Sequence, residues 1–151
     1  MAIEPSTGEI LAMISSPGYD PNELSISRMR GEVFAKLQSD TLNPLFDRSV
    51  MAQYPPGSIF KPILALAAMQ EGVLDENKTV FCNGSYNLGG FRRGCHNHPA
   101  IHNVSQAIQY SCNTYFFTVY KDVIDDAGYT LPEIGMRKLN SYLTEFGFGK
   151  K

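Results

Sequence analysis

The sequence predicts an α/β chain of the α+β type, dominated by helices. Three observations predict it. Residues 63–71 are an almost unbroken run of helix formers closed by Gly72. Residues 114–126 place Tyr115, Phe116, Val119, Tyr120 and Val123 where one helix can pack them. Strand-like patterns are confined to the first fifteen residues and to a Gly-rich excursion near Tyr86.

In chain order, residues 2–4 and 9–15 read as short apolar strands joined by the turn sequence Pro5-Ser6-Thr7-Gly8, the first of them an edge candidate. Residues 17–23 read as a turn-rich loop, and 27–38 as an amphipathic surface helix. Residues 40–57 form a long connection in which Asp47 and Arg48 pair or brace the chain. The central helix follows. Residues 79–102 read as an irregular excursion with a hairpin around Tyr86. Asn103 caps a short helix over 104–110, residues 114–126 form the next, Asp125 to Gly128 close it, and 131–146 form the last. Tyr115, Phe116 and Phe117 read as core, Arg92-Arg93 as a solvated loop pair, and Lys150-Lys151 as a solvated tail.

The chemistry concentrates at Tyr54-Pro55-Pro56-Gly57-Ser58-Ile59-Phe60-Lys61-Pro62. Pro55, Pro56 and Gly57 keep the entry extended or turned. Pro62 falls in the first helical turn, where its missing N–H loses no partner. Ser58 therefore lies at or beside a helix N-terminus. Three residues on, Lys61 shares its face and can reach the hydroxyl. Burial can hold such a lysine neutral, so that it accepts the serine proton. The helix N-terminus favours a developing oxyanion. The competing reading is a serine that merely caps a core helix, since Ser-x-x-Lys is a short pattern. Against it stand the Pro-Pro-Gly entry and the absence of another Ser-x-x-Lys in the chain.

Ser111-Cys112-Asn113 opens the next long helix. Taken alone, Ser111 and Asn113 read as caps; beside Ser58 and Lys61 they read as site residues. Ser85-Tyr86-Asn87 has the same pattern but lies in the excursion, and is set aside.

Cys82, Cys95 and Cys112 accompany His96, His98 and His102. Three thiolates and one imidazole make a closed tetrahedral Zn²⁺ set. Such a staple would order an excursion short of apolar residues. His98 is the preferred histidine because His96 adjoins Cys95, with His102 in reserve. Two other readings stay open: a Cys82–Cys95 disulfide with Cys112 a free buried thiol, and three unconnected cysteines.

With 151 residues, 43% of them hydrophobic, one domain with a core is expected. The net charge of −2 argues against non-specific nucleic-acid binding. No stretch is apolar for long enough to span a membrane, and no signal peptide opens the chain.

These motifs resemble the transpeptidase domain of class B penicillin-binding proteins, in particular the penicillin-binding protein 2 branch that serves cell elongation. The resemblance rests on residues 2–17, Tyr19-Asp20-Pro21-Asn22, 43–48, 54–62, 111–117 and Phe146-Gly147-Phe148-Gly149. That family carries Ser-x-x-Lys, Ser-x-Asn and Lys-Thr-Gly. The resemblance implies a penicillin-binding-protein and serine-β-lactamase-like fold with most of its sheet missing. It implies a serine D,D-transpeptidase that cross-links stem peptides ending in D-Ala-D-Ala and is acylated by β-lactams. Ser58 would be the nucleophile, Lys61 its base, Ser111 a proton relay and Asn113 the partner of the substrate amide. No organic cofactor is implied. The implied partners are stem peptide, β-lactams and cell-elongation proteins including a glycosyltransferase; nucleic acid is not among them. The parent protein would work at the periplasmic face of the inner membrane, held there by an N-terminal anchor. Lys-Thr-Gly is absent from the sequence, so residues 1–151 are expected to be a partial transpeptidase domain with two of three motifs, inactive by itself. A non-enzymatic β-lactam sensor and a serine β-lactamase relative are the alternatives.

Overall fold

The computed structural model describes residues 1–149; the predicted tail at Lys150-Lys151 lies outside them. The chain forms two compact units, residues 1–55 and 56–151.

In the first unit, β1 (Ala2–Ile3) pairs antiparallel with β2 (Ile10–Ala12). The turn between them closes through the Gly8 N–H to the Glu4 carbonyl at 2.8 Å. Helix α1 (Pro21–Ser25) replaces the second half of the predicted loop. Asp20 accepts the Asn22 N–H, and Pro21 fills the first helical position, a complete N-terminal signature on a helix little more than one turn long. Helix α2 (Arg30–Ser39) starts three residues later than predicted. It is a surface helix, with only Val33 and Leu37 half-buried, four residues apart on one face. Helix α3 (Arg48–Met51) is a single turn inside the predicted connection, capped by Asp47 through the Ser49 N–H at 2.9 Å. Asp47 and Arg48 form no ion pair among the described residues. Arg48 instead braces the preceding loop by donating to the carbonyls of Leu42, Asn43 and Phe46.

The second unit holds the core. A 3-10 turn (Gly57–Phe60) leads directly into α4 (Lys61–Gln70). After the excursion come α5 (Val104–Gln109), α6 (Asn113–Asp125) and α7 (Pro132–Glu145). Leu64, Ala65, Ala67 and Ala68 of α4 pack with Val104 and Ala107 of α5, Tyr115, Phe116, Val119 and Val123 of α6, and Leu139 of α7. The alanines let the helices approach closely. Gly135 allows the same between α7 and α6: a Cβ there would collide with the backbone of Val123 and Ile124. After α7 the chain returns Phe148 edge-on to Phe60, with ring centroids 6.3 Å apart.

The excursion is more ordered than predicted. Strand β3 (Ser85–Leu88) pairs in continuous antiparallel register with β4 (Phe91–Gly94). The turn is Gly89-Gly90, both with positive φ, a two-residue hairpin connection that glycines suit. Tyr86 lies in the strand, not at the turn. Arg92 and Arg93 are exposed strand residues, not loop residues, and the Arg93 guanidinium lies over the Phe91 ring at 4.5 Å. The hairpin packs on α6 through Phe117, which stacks on Tyr86 at 5.4 Å and meets Phe91 edge-on at 5.9 Å. Tyr115 and Phe116 are core as predicted, whereas Phe117 is only half-buried.

Candidate active site

Gly57 has φ +62°, a left-handed conformation that a side chain would strain. This turns the Pro-Pro entry into the 3-10 turn that carries Ser58. The Lys61 N–H closes that turn on the Ser58 carbonyl. In 3-10 geometry residues three apart eclipse, so Ser58 and Lys61 stand on one side. Both line a groove of about 380 Å³ with Phe60, Leu64, Asn113, Phe116, Phe117 and Tyr120. Ser58 is exposed at its mouth, and Lys61 is partly buried.

Lys61 is held from the far wall. Its Nζ lies 2.6 Å from the Ser111 carbonyl, 2.9 Å from Ser111 Oγ and 2.7 Å from Asn113 Oδ1. It also lies 5.8 Å from the centre of the Phe116 ring, within cation–π range. The expected approach to Ser111 is present, while the Nζ makes no hydrogen bond to Ser58. Burial lowers the Lys61 pKa, against an opposing pull from Cys95 and Cys112. A neutral amine fits the same three contacts: two N–H groups go to the Ser111 carbonyl and Asn113 Oδ1, and the lone pair accepts the Ser111 O–H.

Neither Ser111 nor Asn113 spends its side chain on helix capping. Cys112 is the N-cap of α6, its Sγ accepting the Tyr115 N–H at 3.3 Å. Ser111 sits between α5 and α6 at φ +50°. A serine held in that region is strained, and such residues gather at functional sites. The Asn113 amide is oriented from a second direction. Its Nδ2 donates to the Gly94 carbonyl at 3.0 Å, and its backbone N–H to Cys95 Sγ at 3.2 Å. The end of β4 therefore fixes the residue that holds Lys61. Sequence reasoning missed Gly94 and Phe117 as parts of the site, because both reach it only through the hairpin's packing on α6.

Cys82, Cys95, His98 and Cys112 converge, with all four ligand atoms within 4.8 Å of one another. The donor set fits zinc. Tetrahedral Zn–S bonds of ~2.3 Å put two sulfurs about 3.8 Å apart, and a sulfur and an imidazole nitrogen about 3.6 Å apart. Cys95 Sγ lies 3.9 Å from Cys112 Sγ and 3.5 Å from His98 Nε2. His98 Nδ1 faces the Pro99 carbonyl at 2.7 Å, the arrangement that leaves Nε2 free for a metal. His96 is taken up by the Tyr110 carbonyl at 2.6 Å. All three thiols are free. Cys112 lies beside both other sulfurs, as a shared metal would need. Burial pushes the Cys112 thiol up to about 12. Burial acts on Cys95 in the same sense, but the backbone N–H groups of Thr114 and Asn113, with His98 and Cys82, outweigh it and bring the thiol down to about 6. His98 is raised, first by its bond to the Pro99 carbonyl.

The family model "Penicillin binding protein transpeptidase domain" matches residues 1–151. A peptidoglycan D,D-transpeptidase MrdA of Acinetobacter baumannii is 33% identical, over 100% of this chain and 21% of that protein. The Pseudomonas aeruginosa PBP2 structure in complex with WCK 5153 is 34% identical, with TM-score 0.74, over 99% of this chain and 31% of that one. The penicillin G acyl-enzyme complex of penicillin-binding protein A from M. tuberculosis is 30% identical, with TM-score 0.64, over 80% of this chain and 30% of that one. The chain spans about a fifth of the length of MrdA relatives such as those of Acinetobacter baumannii and Escherichia coli. On residue pattern, fold and likeness together, the chain belongs to the penicillin-binding protein transpeptidase domain family.

Proposed function

We propose that this chain is the part of a peptidoglycan D,D-transpeptidase domain that carries the first two of its three active-site motifs. The observation that carries the reading is Lys61: its amine is bonded to Ser111 Oγ and Asn113 Oδ1 while it shares a groove with Ser58. Ser58 is the nucleophile and Lys61 its base. When Lys61 takes the Ser58 proton, the freed Oγ attacks the carbonyl of the penultimate D-Ala of a stem peptide. The Ser58 backbone N–H supplies one oxyanion donor, and the strand bearing the third motif supplies the other. Ser111 passes a proton to the departing D-Ala amine. Asn113 turns from Lys61 to the substrate amide. An amine from a second stem peptide then takes the acyl group. β-Lactams acylate the same serine. In the whole protein the partners are cell-elongation proteins including a glycosyltransferase, and the work is done at the periplasmic face of the inner membrane.

Release of D-Ala tests this reading. The longer protein that contains this chain is expected to release D-Ala from a pentapeptide donor and join the remainder to an acceptor amine. Penicillin binding with no D-Ala release would favour the sensor alternative.

The second part of the proposal is a structural zinc held by Cys82, Cys95, His98 and Cys112. Four protein ligands leave no position for an activated water. The metal's role is to tie the β3–β4 hairpin to the start of α6, keeping Asn113 in register with Lys61. Chain purified without added metal is expected to contain one zinc, which protects all three thiols from alkylation until it is chelated. Zinc-free protein with a single reactive thiol under denaturing conditions would replace the metal by a disulfide.

A further inference from the structure

Two of the three sulfurs differ sharply in access. Cys95, with Cys82 and His98, lines an open cleft of about 290 Å³. Cys112 lies behind it, fully buried in the core. Between Cys95 Sγ and Cys112 Sγ there are 3.9 Å. Cys82 Sγ belongs to the same cluster, and its thiol donates to Thr114 Oγ1 at 3.2 Å. An oxidant small enough to enter the cleft reaches Cys95 before Cys112, and Cys112 stands 3.9 Å behind Cys95 to answer.

Both cysteines are wired to the candidate active site. Cys112 stands between Ser111 and Asn113, and its Sγ caps α6. Cys95 Sγ accepts the Asn113 N–H, and the neighbouring Gly94 carbonyl holds the Asn113 amide. A disulfide has S–S near 2.0 Å, so forming one closes about 1.9 Å of the present separation. If Cys112 moves, the α6 cap and the flanking Ser111 and Asn113 move with it. If the Cys95 sulfur moves, Asn113 loses the acceptor of its backbone N–H. Either way the contacts that position Lys61 are displaced, and a shift of about 1 Å at a reacting geometry can reduce rate on the order of 10²-fold.

We propose that Cys95 and Cys112 form an oxidation site for hydroperoxides that switches the transpeptidase site off, and that the zinc guards it. The proposal rests on the zinc and active-site readings above for the guarding and for the loss of activity; the disulfide itself rests on sulfur geometry alone. The Cys95 sulfur attacks one oxygen of hydrogen peroxide. The O–O bond breaks, the departing hydroxide takes the Cys95 thiol proton and leaves as water, and a sulfenic acid remains. Cys112 sulfur then attacks the sulfenic sulfur. The S–S bond forms, the S–O bond breaks, and the Cys112 proton leaves with the hydroxyl as a second water. Two thiols lose two electrons, and one peroxide becomes two waters. With zinc bound, both sulfurs are engaged by the metal and the first attack is suppressed. A dithiol reductant reverses the change.

The test is oxidation of the chain with one equivalent of hydrogen peroxide, with zinc and after zinc removal, followed by thiol alkylation and peptide mapping. The zinc-free chain is expected to lose two thiols and yield a Cys95–Cys112 disulfide, with Cys82 still alkylated. The zinc-loaded chain is expected to keep all three. Cys82→Ala, which removes one ligand and leaves the pair intact, is expected to give the same disulfide. A statistical mixture of the three pairings, as from an unfolded chain, would overturn the proposal, as would a Cys82–Cys95 bond or unchanged thiols. Zinc content is measured on the same samples. A Cys95–Cys112 bond in a chain that never binds zinc removes the metal and leaves the switch. Zinc binding with peroxide-resistant thiols after its removal does the reverse. In the longer protein, labelled-penicillin acylation should fall about 100-fold on oxidation and return with reductant; an unchanged rate in the disulfide form would rule out the coupling.

Discussion

Replacing Ser58 by alanine in the longer protein is expected to abolish covalent labelling by penicillin. The physical reason is the absence of any substitute nucleophile at the same place. Ser58 stands exposed at the groove mouth on a 3-10 turn fixed by Gly57. The site's other serine hydroxyl, Ser111 Oγ, is 2.9 Å from Lys61 Nζ on the opposite wall, between α5 and α6. Loss of a serine nucleophile removes on the order of 10⁶ in rate where it has been measured in other serine enzymes. The fold should be undisturbed, because the Ser58 side chain is exposed and the substitution creates no cavity. Gel fluorescence after incubation with a labelled penicillin reads the result, with unchanged melting temperature as the control. Residual rapid labelling of Ser58→Ala would place the nucleophile elsewhere.

Lys61→Met is expected to lower the acylation rate by about 10²–10⁴, the range for a positioned general base. The pH dependence should change with it. Only the neutral amine can accept the Ser58 proton, so the wild-type rate should climb as pH rises through the Lys61 pKa and level off above it. Burial sets that pKa below the ordinary lysine value, so the plateau should be reached at lower pH than an exposed lysine would give. In Lys61→Met that limb should vanish. Stopped-flow acylation across a pH series separates this from a merely structural loss, which would lower the rate and leave the profile's shape intact.

Much of the second unit was legible because its signals are local. Pro55-Pro56-Gly57 announces a turn, the apolar run that follows announces α4, and Asn103 announces α5 by accepting the Gln106 N–H. Helix α1 was missed although Asp20 and Pro21 are cap and first-turn residues, because the surrounding Pro, Gly and Asn outweigh a five-residue helix in any local reading. The hairpin turns at Gly89-Gly90, both at positive φ, and this pair sets the register that puts Tyr86 in the strand. At Ser111 the local signal was misleading. A serine ahead of a helix reads as its cap, yet Cys112 takes that role, and the left-handed Ser111 backbone leaves the serine hydroxyl for Lys61. Convergence of Cys82, Cys95 and Cys112 is non-local, and its signs in the sequence are their number, the neighbouring histidines and an excursion short of apolar residues. The hold of Gly94 and Cys95 on Asn113 left no sequence mark, because it is made by a backbone carbonyl and a sulfur that the hairpin's packing brings to α6.

The central claim is that Ser58, served by Lys61, is the acylated residue. The most direct measurement is the position of the covalent adduct in the longer protein after penicillin treatment, read by proteolysis and mass spectrometry. The account predicts one adduct per chain, on Ser58 of the peptide spanning Gly57 to Lys61. An adduct on Ser111, on Lys61 or outside that peptide would contradict it.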